Sequence, residues 1–205
     1  MENNFGFTKQ EYDFLKKLNQ PAKIQDFLDS IPYNLQKNPD TCYSPKKVLE
    51  HRVANCREGA IFASAALRVH GHKPLIIDLV AAPDKDDDHE ISVFKRNSYW
   101  GAIAKSKFTG LQFRDPVYKN VRELVMSYFD DYYNERGEKS LREYSKPVNL
   151  SMFDEKGWMT SEKDVWFILE YLVDIKHVKI LGERAKLRKA DNLLLKAGML
   201  SYPKH

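Results

Sequence analysis

The sequence lacks the features that mark secreted and membrane-spanning proteins. Its 205 residues include only two cysteines, Cys42 and Cys56. No apolar run approaches the roughly 20 residues that a membrane-spanning helix needs. The first residues carry neither the basic segment nor the apolar segment of a secretory leader. We therefore expect a cytoplasmic protein with both thiols reduced, and a single disulfide between the two cysteines is the alternative.

A large excess of one charge is also lacking. Lys and Arg total 33 against 29 Asp and Glu, a net charge of +4 that requires neither a nucleic-acid nor a membrane partner. Residues 176–204 are locally basic, as a phosphate-facing stripe would be. However, leucines alternate with these charges, as on the solvent face of a packed helix, and no aromatic stacking platform accompanies them. We predict that the protein binds no nucleic acid and no membrane.

Internal repeats and low-complexity segments are absent, and the patterns that are present predict an α+β fold. Apolar residues recur at helical spacing in the first and last thirds, whereas short apolar or alternating runs mark strands in the middle third. Residues 138–157 are polar and are predicted to be irregular. The predicted helices cover 8–18, 121–133, 165–173 and 186–200, with others beginning at Pro21, Pro45 and Cys56. The predicted strands cover 74–81, 89–95, 99–104 and 111–115, the last ending at Pro116.

Cys56 stands where a polar loop turns into a helix rich in small residues. Asn55 before it is a favourable N-cap, and Glu58 is placed to complete a capping box. Gly71 is placed to end the helix. Cys56 is then the first helical residue, where the helix dipole lowers the pKa of a thiol and favours a nucleophilic or metal-binding thiolate. A buried cysteine that only fills space is the alternative.

A catalytic thiol needs a base, and His89 is the best placed of the six histidines. It opens a predicted strand after an acidic turn, whereas His70 and His72 lie about 20 Å along the helix from Cys56. The group that orients the base should come from a neighbouring strand. Asp115 at the end of a predicted strand is the best candidate, and a turn-forming aspartate is the alternative.

Three pieces of the chain, in this order, resemble the transglutaminase-like superfamily, which shares its core with papain-like cysteine peptidases. They are Asn55-Cys56-Arg57-Glu58-Gly59-Ala60, Asp88-His89-Glu90-Ile91-Ser92-Val93 and Arg114-Asp115-Pro116. The resemblance covers residues 44–118 and is strongest to uncharacterised prokaryotic members. It implies a papain-like core in which N-terminal helices and a central cysteine-bearing helix pack on an antiparallel sheet. We predict a core domain over residues 1–157 and a helical extension over residues 158–205 that packs on it as one compact unit.

The resemblance implies acyl chemistry at an amide bond, either hydrolysis or transfer, on a peptide, protein or small amide substrate. Cys56 carries over as nucleophile, His89 as general base and Asp115 as the residue that orients the base. Asp115 reaches His89 only if residues 105–110 bulge out of the sheet, and otherwise another residue takes that role. The chemistry needs no cofactor, and the backbone amide of Cys56 is the natural first donor to an oxyanion. The candidates for the second donor are Gln36, Tyr43 and Trp100.

Other interpretations stay open. Cys42, Cys56, His51 and His89 contain zinc-binding residue types, but the cysteine spacing is unlike that of the short knuckles in structural zinc sites. The acidic residues 84–88 are a weak calcium candidate and are better explained as a solvated turn. The main alternative to an enzyme is a catalytically silent module that binds peptides or proteins in the same cleft.

Overall fold

A computed structural model describes residues 4–35, 39–182 and 185–198 of the chain. The helices in these ranges are α1 (Lys9–Lys17), α2 (Pro21–Ser30), α3 (Pro45–His51), α4 (Cys56–Val69), α5 (Val121–Met126), α6 (Trp166–Asp174) and α7 (Asn192–Gly198). The strands are β1 (Leu75–Ala81), β2 (His89–Arg96), β3 (Tyr99–Ile103), β4 (Arg114–Tyr118), β5 (Leu141–Ser145), β6 (Val148–Asn149) and β7 (His177–Lys179). Short 3₁₀ helices cover Thr109–Leu111 and Leu150–Lys156.

The N-terminal helices begin at the predicted residues because each start carries a local signal. Thr8 and Glu11 form a capping box at α1, in which the Thr8 hydroxyl accepts the Glu11 amide at 3.3 Å. Pro21 occupies the first position of α2, where its missing N–H costs no helical hydrogen bond. Ser44 caps α3 by accepting the amide of Lys47.

The strands form one antiparallel sheet with helices packed against it. The strand order is β4-β3-β2-β1-β5-β7, and β6 also pairs with β1. Asn97 and Ser98 join β2 to β3 with positive φ angles of 50° and 69°, which fit the tight turn of a two-residue hairpin. The predicted α+β class is confirmed.

The sheet separates two apolar layers, and β2 shows the alternation between them. Ile91 and Val93 belong to the cluster that includes the core residues of α5. Phe94 belongs to the other cluster, with the core of α4 and the N-terminal helices, and Ser92 lies 2.9 Å from Ser64 of α4. Because side chains alternate along a strand, the even-numbered residues of β2 face α4 and the odd-numbered residues face the opposite layer.

Several elements differ from the prediction. The strand predicted to stop at Pro116 instead continues as β4 to Tyr118, which the edge of a sheet permits because one side of the strand needs no amide donors. The helix predicted over residues 121–133 ends at Met126. The stretch predicted to be irregular contains β5 and β6, both paired with β1.

Residues beyond 157 pack into the same core as α4. Trp158, Val165, Ile168 and Leu172 are buried there, and β7 pairs with β5 at the edge of the sheet. The last predicted helix is shorter than expected, beginning at Asn192, and residues 199–200 of the prediction lie outside the described residues. No helix within the described ranges is both long and apolar enough to cross a bilayer.

Candidate active site

Cys56 is the first residue of α4, as predicted from its capping box. The Asn55 side chain accepts the Glu58 amide at 3.1 Å, and the Glu58 carboxylate accepts the Asn55 amide at 2.9 Å. This exchange satisfies two backbone donors that a helix start leaves free. Gly71 follows the helix with φ of +80°, a conformation that glycine adopts without strain.

Glu58 does more than cap the helix, because its buried carboxylate also holds the loop between α2 and α3. Its Oε1 accepts the Thr41 hydroxyl at 2.7 Å and the Tyr43 amide at 3.0 Å, and its Oε2 accepts the Asn34 side-chain amide at 3.0 Å. The carboxylate is 0% exposed, so these donors replace the water that would otherwise solvate its charge. The loop between α2 and α3 is therefore fixed to the first turn of α4.

Tyr33 is brought to Cys56 by the same loop. A parallel bridge pairs Tyr33 with Ala54, and the amide of Cys56 donates to the Tyr33 hydroxyl oxygen at 3.4 Å. Lys105 holds the start of the same loop. Its buried ammonium donates to the carbonyls of Leu28 and Ile31, at the end of α2, at 2.6 and 2.8 Å. Burial lowers the pKa of Lys105 to about 8.

Cys56 and His89 border the same cavity, which we call the narrow cavity. Its volume is about 130 Å³. A second, wide cavity of about 540 Å³ adjoins it, since the two share five lining residues. The shared residues are Tyr33, Arg57, Asp87, Asp88 and Lys107. No hydrogen bond joins Cys56 to His89 among the contacts of the described chain, and His89 belongs to the face of β2 opposite α4, so the two are connected only through the cavity that both border at the start of β2.

The ring of His89 is held by a backbone carbonyl. Its Nε2 lies 3.0 Å from the carbonyl oxygen of Leu111, in the 3₁₀ helix Thr109–Leu111. Because a carbonyl only accepts, Nε2 carries the proton, and Nδ1 keeps a lone pair that can take a proton from a thiol. Burial lowers the pKa of His89 to about 4, so the ring is neutral at physiological pH.

Asp115 is not brought to His89. It is exposed in the edge strand β4, and it does not line the narrow cavity. The register places Arg114 opposite Ala102 and Ala102 opposite Val93, so Asp115 lies about five residues further along the sheet than His89, roughly 16 Å at strand spacing. Asp115 has no contact with His89 in the described structure, and the group that contacts the His89 ring is the Leu111 carbonyl.

Glu90 is an acidic neighbour of the thiol. It follows His89 in β2 and faces α4, on the side of the sheet where Cys56 lies, and burial raises the pKa of its own carboxyl. Burial raises the pKa of Cys56, and the charge of Glu90 raises it further, whereas the Tyr33 hydroxyl and Arg57 lower it. The sequence predicted a lowered pKa from the helix start alone. That prediction is wrong in direction because desolvation and a buried carboxyl outweigh the dipole.

Two of the three candidates for the second oxyanion donor are engaged elsewhere. Tyr43 donates its amide to Glu58, and its ring lies 5.0 Å from that of His51. Trp100 pairs with Lys95 towards the far end of β2. Gln36 lies outside the described residues. Tyr33 is the upstream side chain that does reach the Cys56 amide, and its only sequence signal is its place in a loop before the cysteine.

The described residues contain no group of three or more His, Cys, Asp or Glu side chains arranged to hold a metal ion. Cys42 and Cys56 are both free thiols, and Cys42 is fully buried. The set of Cys42, Cys56, His51 and His89 therefore does not converge. Asp86 and Asp88 act locally, because they accept the Ser140 hydroxyl and the Ala81 amide.

No protein-family model matches the chain, and no curated protein matches it.

Proposed function

We propose that the protein performs thiol-dependent acyl chemistry at an amide bond, with Cys56 as nucleophile and His89 as general base, on a core of the transglutaminase-like type. The observation that carries this proposal is the narrow cavity that both side chains border. The position of Cys56 at the start of α4 adds support, since its backbone amide has no partner within the helix.

The reaction begins from a neutral thiol and a neutral imidazole. Burial raises the pKa of Cys56 and lowers that of His89, so a preformed ion pair is disfavoured. The proton passes from the Cys56 sulfur to Nδ1 of His89 while the sulfur bonds to the carbonyl carbon of the substrate. The Leu111 carbonyl holds Nε2–H and so keeps Nδ1 available as the base.

Two donors stand where the oxyanion of the tetrahedral intermediate would form. The Cys56 amide and the Tyr33 hydroxyl contact each other at 3.4 Å in the unliganded protein. A substrate oxygen placed between these two groups accepts a hydrogen bond from each. Such donors stabilise the transition state most where negative charge develops in a site shielded from water.

Collapse of the intermediate completes the first half of the reaction. Protonated His89 gives its Nδ1 proton to the leaving nitrogen, the C–N bond breaks, and a thioester forms on Cys56. Water or an amine then attacks the thioester with His89 as base, and the thiol is restored. The reaction is a hydrolysis if water attacks the thioester and an acyl transfer if an amine does.

Acylation by p-nitrophenyl acetate tests the proposal. We expect intact-protein mass spectrometry to detect an acetyl group on Cys56, lost on turnover, with slower acylation in His89→Ala and none at position 56 in Cys56→Ala. Cys56→Ala should keep its melting temperature because both residues are small and helix-compatible. Full turnover by Cys56→Ala, or acylation of Cys56 no faster than that of glutathione, would overturn the proposal.

A catalytically silent peptide-binding module is the second candidate. The observation that favours it is the raised pKa of Cys56, since a protonated thiol is a poor nucleophile. Iodoacetamide labelling of the folded protein across pH separates the two functions. Labelling of Cys56 near pH 7 that depends on His89 supports the enzyme, and labelling that rises only at strongly alkaline pH supports the silent module.

A further inference from the structure

The helix α7 packs against the wall of the narrow cavity. Tyr133 is a buried residue of that wall, and its hydroxyl donates to the Leu194 carbonyl of α7 at 2.7 Å. Gly198 lies against the same hydroxyl, and a Cβ atom at this position would stand 2.1 Å from it. Only glycine, which has no Cβ, permits so close an approach. The helix is therefore seated on a side chain of the candidate active site.

α7 also contacts the backbone segment that orients His89. The Thr109 hydroxyl donates to the Ala197 carbonyl of α7 at 3.1 Å. Thr109 begins the 3₁₀ helix that ends at Leu111, and the carbonyl oxygen of Leu111 lies 3.0 Å from Nε2 of His89. One helix thus contacts both the cavity wall and the support of the proposed base.

The residues just before α7 fasten it to a neighbouring turn. The Ala190 amide donates to the Gly137 carbonyl at 2.8 Å, and Lys189 pairs with Glu138 at 3.3 Å. The Asp191 carboxylate accepts two amides in the first turn of α7, each at 3.0 Å. These contacts fix where α7 begins and direct it across the cavity wall.

Residues 189–198, which we call the strap, bury little apolar surface. A helix of seven residues is too short to be stable alone in water, so α7 depends on packing. Leu193 is nevertheless 78% exposed and Leu194 42% exposed. Segments with few buried apolar contacts open at a lower free-energy cost than the core of a protein. The strap can therefore detach while the sheet stays folded.

The narrow cavity is too small for a substrate while the strap is closed. Its volume is about 130 Å³, whereas ligand pockets measure roughly 300 to 1,000 Å³. Cys56 lines this cavity and not the wide one, so the reacting atoms must enter here. Phe108 and Tyr133 form the wall that the strap covers, and their rings pack edge to face with centres 6.0 Å apart. Release of the strap frees this wall to move outward.

We propose that the strap is a lid on the candidate active site. It detaches from Tyr133 and Thr109 to widen the narrow cavity for substrate, and it closes again to hold the Leu111 carbonyl in place behind His89. As a statement about substrate, this rests on the proposed function, whereas the movement itself does not. Because only open molecules admit a bulky group, loosening the strap speeds the access of bulky reagents more than that of small ones.

Two thiol reagents of different size test the lid without any turnover. Methyl and benzyl methanethiosulfonate each form a mixed disulfide with the thiolate as methanesulfinate leaves. Peptide mapping identifies modified Cys56, and each rate is divided by the rate of the same reagent with glutathione. In the native chain we expect the benzyl reagent to be at least about tenfold slower on this scale, because an open state populated to about 10% or less limits it.

Two glycine variants decide whether the strap is responsible. Gly198→Ala places a methyl group against the Tyr133 hydroxyl and should raise the benzyl rate at least about threefold, while the methyl rate changes less than about twofold. Gly182→Ala is the matched control, since no atom lies within 4 Å of the added Cβ, and it should leave both rates unchanged. Alanine favours a helix more than glycine does, so helix propensity alone predicts a tighter strap in Gly198→Ala.

A second variant keeps the test decisive if Gly198→Ala does not fold. Asp191→Ala removes the carboxylate that holds the first turn of α7 and should change the two rates in the same way. The lid is overturned if both reagents modify Cys56 of the native chain equally fast. It is also overturned if the folded variants keep the native ratio of the two rates, or if neither reagent modifies Cys56 in any of these proteins.

Hydrogen exchange with mass spectrometry measures the opening itself. Peptides from the strap should exchange at least about a hundredfold faster than peptides from β1, because they open without global unfolding. Gly198→Ala should speed exchange both in the strap and in residues 108–111, since the two segments are joined by hydrogen bonds. A strap that exchanges as slowly as β1 would overturn the lid.

Failure of the lid is distinct from failure of the proposed function. A dependence on reagent size that Gly198→Ala reduces, without acylation by p-nitrophenyl acetate, leaves the lid standing and removes the acyl chemistry. Acylation of Cys56 with no dependence on reagent size does the reverse.

Discussion

The imidazole of His89 is oriented by the main chain, through the 3.0 Å contact between its Nε2 and the carbonyl oxygen of Leu111. The 3₁₀ helix that supplies this carbonyl is held by Arg114, whose Nη2 donates to the Gly110 carbonyl at 2.5 Å. The guanidinium of Arg114 also stacks over the Tyr128 ring at 4.1 Å. The tautomer that a catalytic His89 needs is therefore set without a carboxylate.

Asp115→Asn should leave activity unchanged, because Asp115 is exposed on the edge strand and lies far from His89. We expect kcat/KM within about twofold of the native value, as for other surface substitutions. Kinetics on the substrate that shows Cys56-dependent turnover provide the measurement, with His89→Ala as the inactive reference. A loss comparable to that of His89→Ala would restore Asp115 as the orienting residue.

Arg114→Ala should lower kcat about tenfold with little change in KM, because the Leu111 carbonyl would lose its support and His89 its orientation. Arg114→Lys should recover part of the loss, since an ammonium can still donate to the Gly110 carbonyl. Arg122→Ala, an exposed arginine on α5, is the matched control. NMR of the His89 ring separates a positioning role from general destabilisation, since the Nε2-bound proton should broaden only in the Arg114 variants.

Tyr33→Phe should reduce kcat about a hundredfold while the protein stays folded, because one of two donors to the oxyanion is removed. The aromatic ring is retained, so the packing around Lys107 changes little. Single-turnover acylation of Cys56 is the measurement. An unchanged acylation rate would show that the Tyr33 hydroxyl does not stabilise the oxyanion.

His89 should contribute a loss of stability as the pH drops from about 6.5 to about 4. Its folded pKa of about 4 lies below the ordinary value, so the unfolded chain binds a proton in this window that the folded chain does not. The full effect is about 3 kcal/mol of unfolding free energy. Urea unfolding at several pH values measures it, and His89→Asn should remove this part of the acid slope. An equal slope in both proteins would contradict the assignment.

Glu58→Gln should cost about 3 kcal/mol of unfolding free energy, because the amide group it introduces would face donors that now bind a buried carboxylate. Glu50→Gln, at an exposed position of α3, is the matched control and should change stability by less than about 0.5 kcal/mol. Urea unfolding compares the two variants. A Glu58→Gln protein as stable as the control would mean that the loops before α4 do not depend on this carboxylate.

The helix starts and the central hairpin could be predicted because their signals are local. The capping box of Asn55 and Glu58, the proline that opens α2 and the turn at Asn97 and Ser98 each act over two to four residues. These signals placed Cys56 at the start of α4 and His89 at the start of β2. The meeting of the two at one cavity rests on how α4 packs on β2, which no local pattern specifies.

The remaining features depend on partners distant in sequence. The sequence of β5 is mostly polar and does not indicate a strand. It becomes one because it pairs with β1, which lies about 60 residues earlier in the chain. The carbonyl of Leu111 has no sequence signature, since every residue carries one. Glu90 likewise has no signature of its own in the sequence, although strand alternation places it on the face that α4 covers.

The buried amine of Lys105 can report on local opening of the protein around the end of α2. The amine has a lowered pKa of about 8 because it is buried against the carbonyls at the end of α2. Acylating agents cannot reach it in the closed protein. Any opening that frees α2 from the body of the protein exposes this amine to acylating agents and returns its pKa toward the ordinary value. The acetylation rate of Lys105 in the native protein therefore measures how often the end of α2 and the loop that carries Tyr33 open.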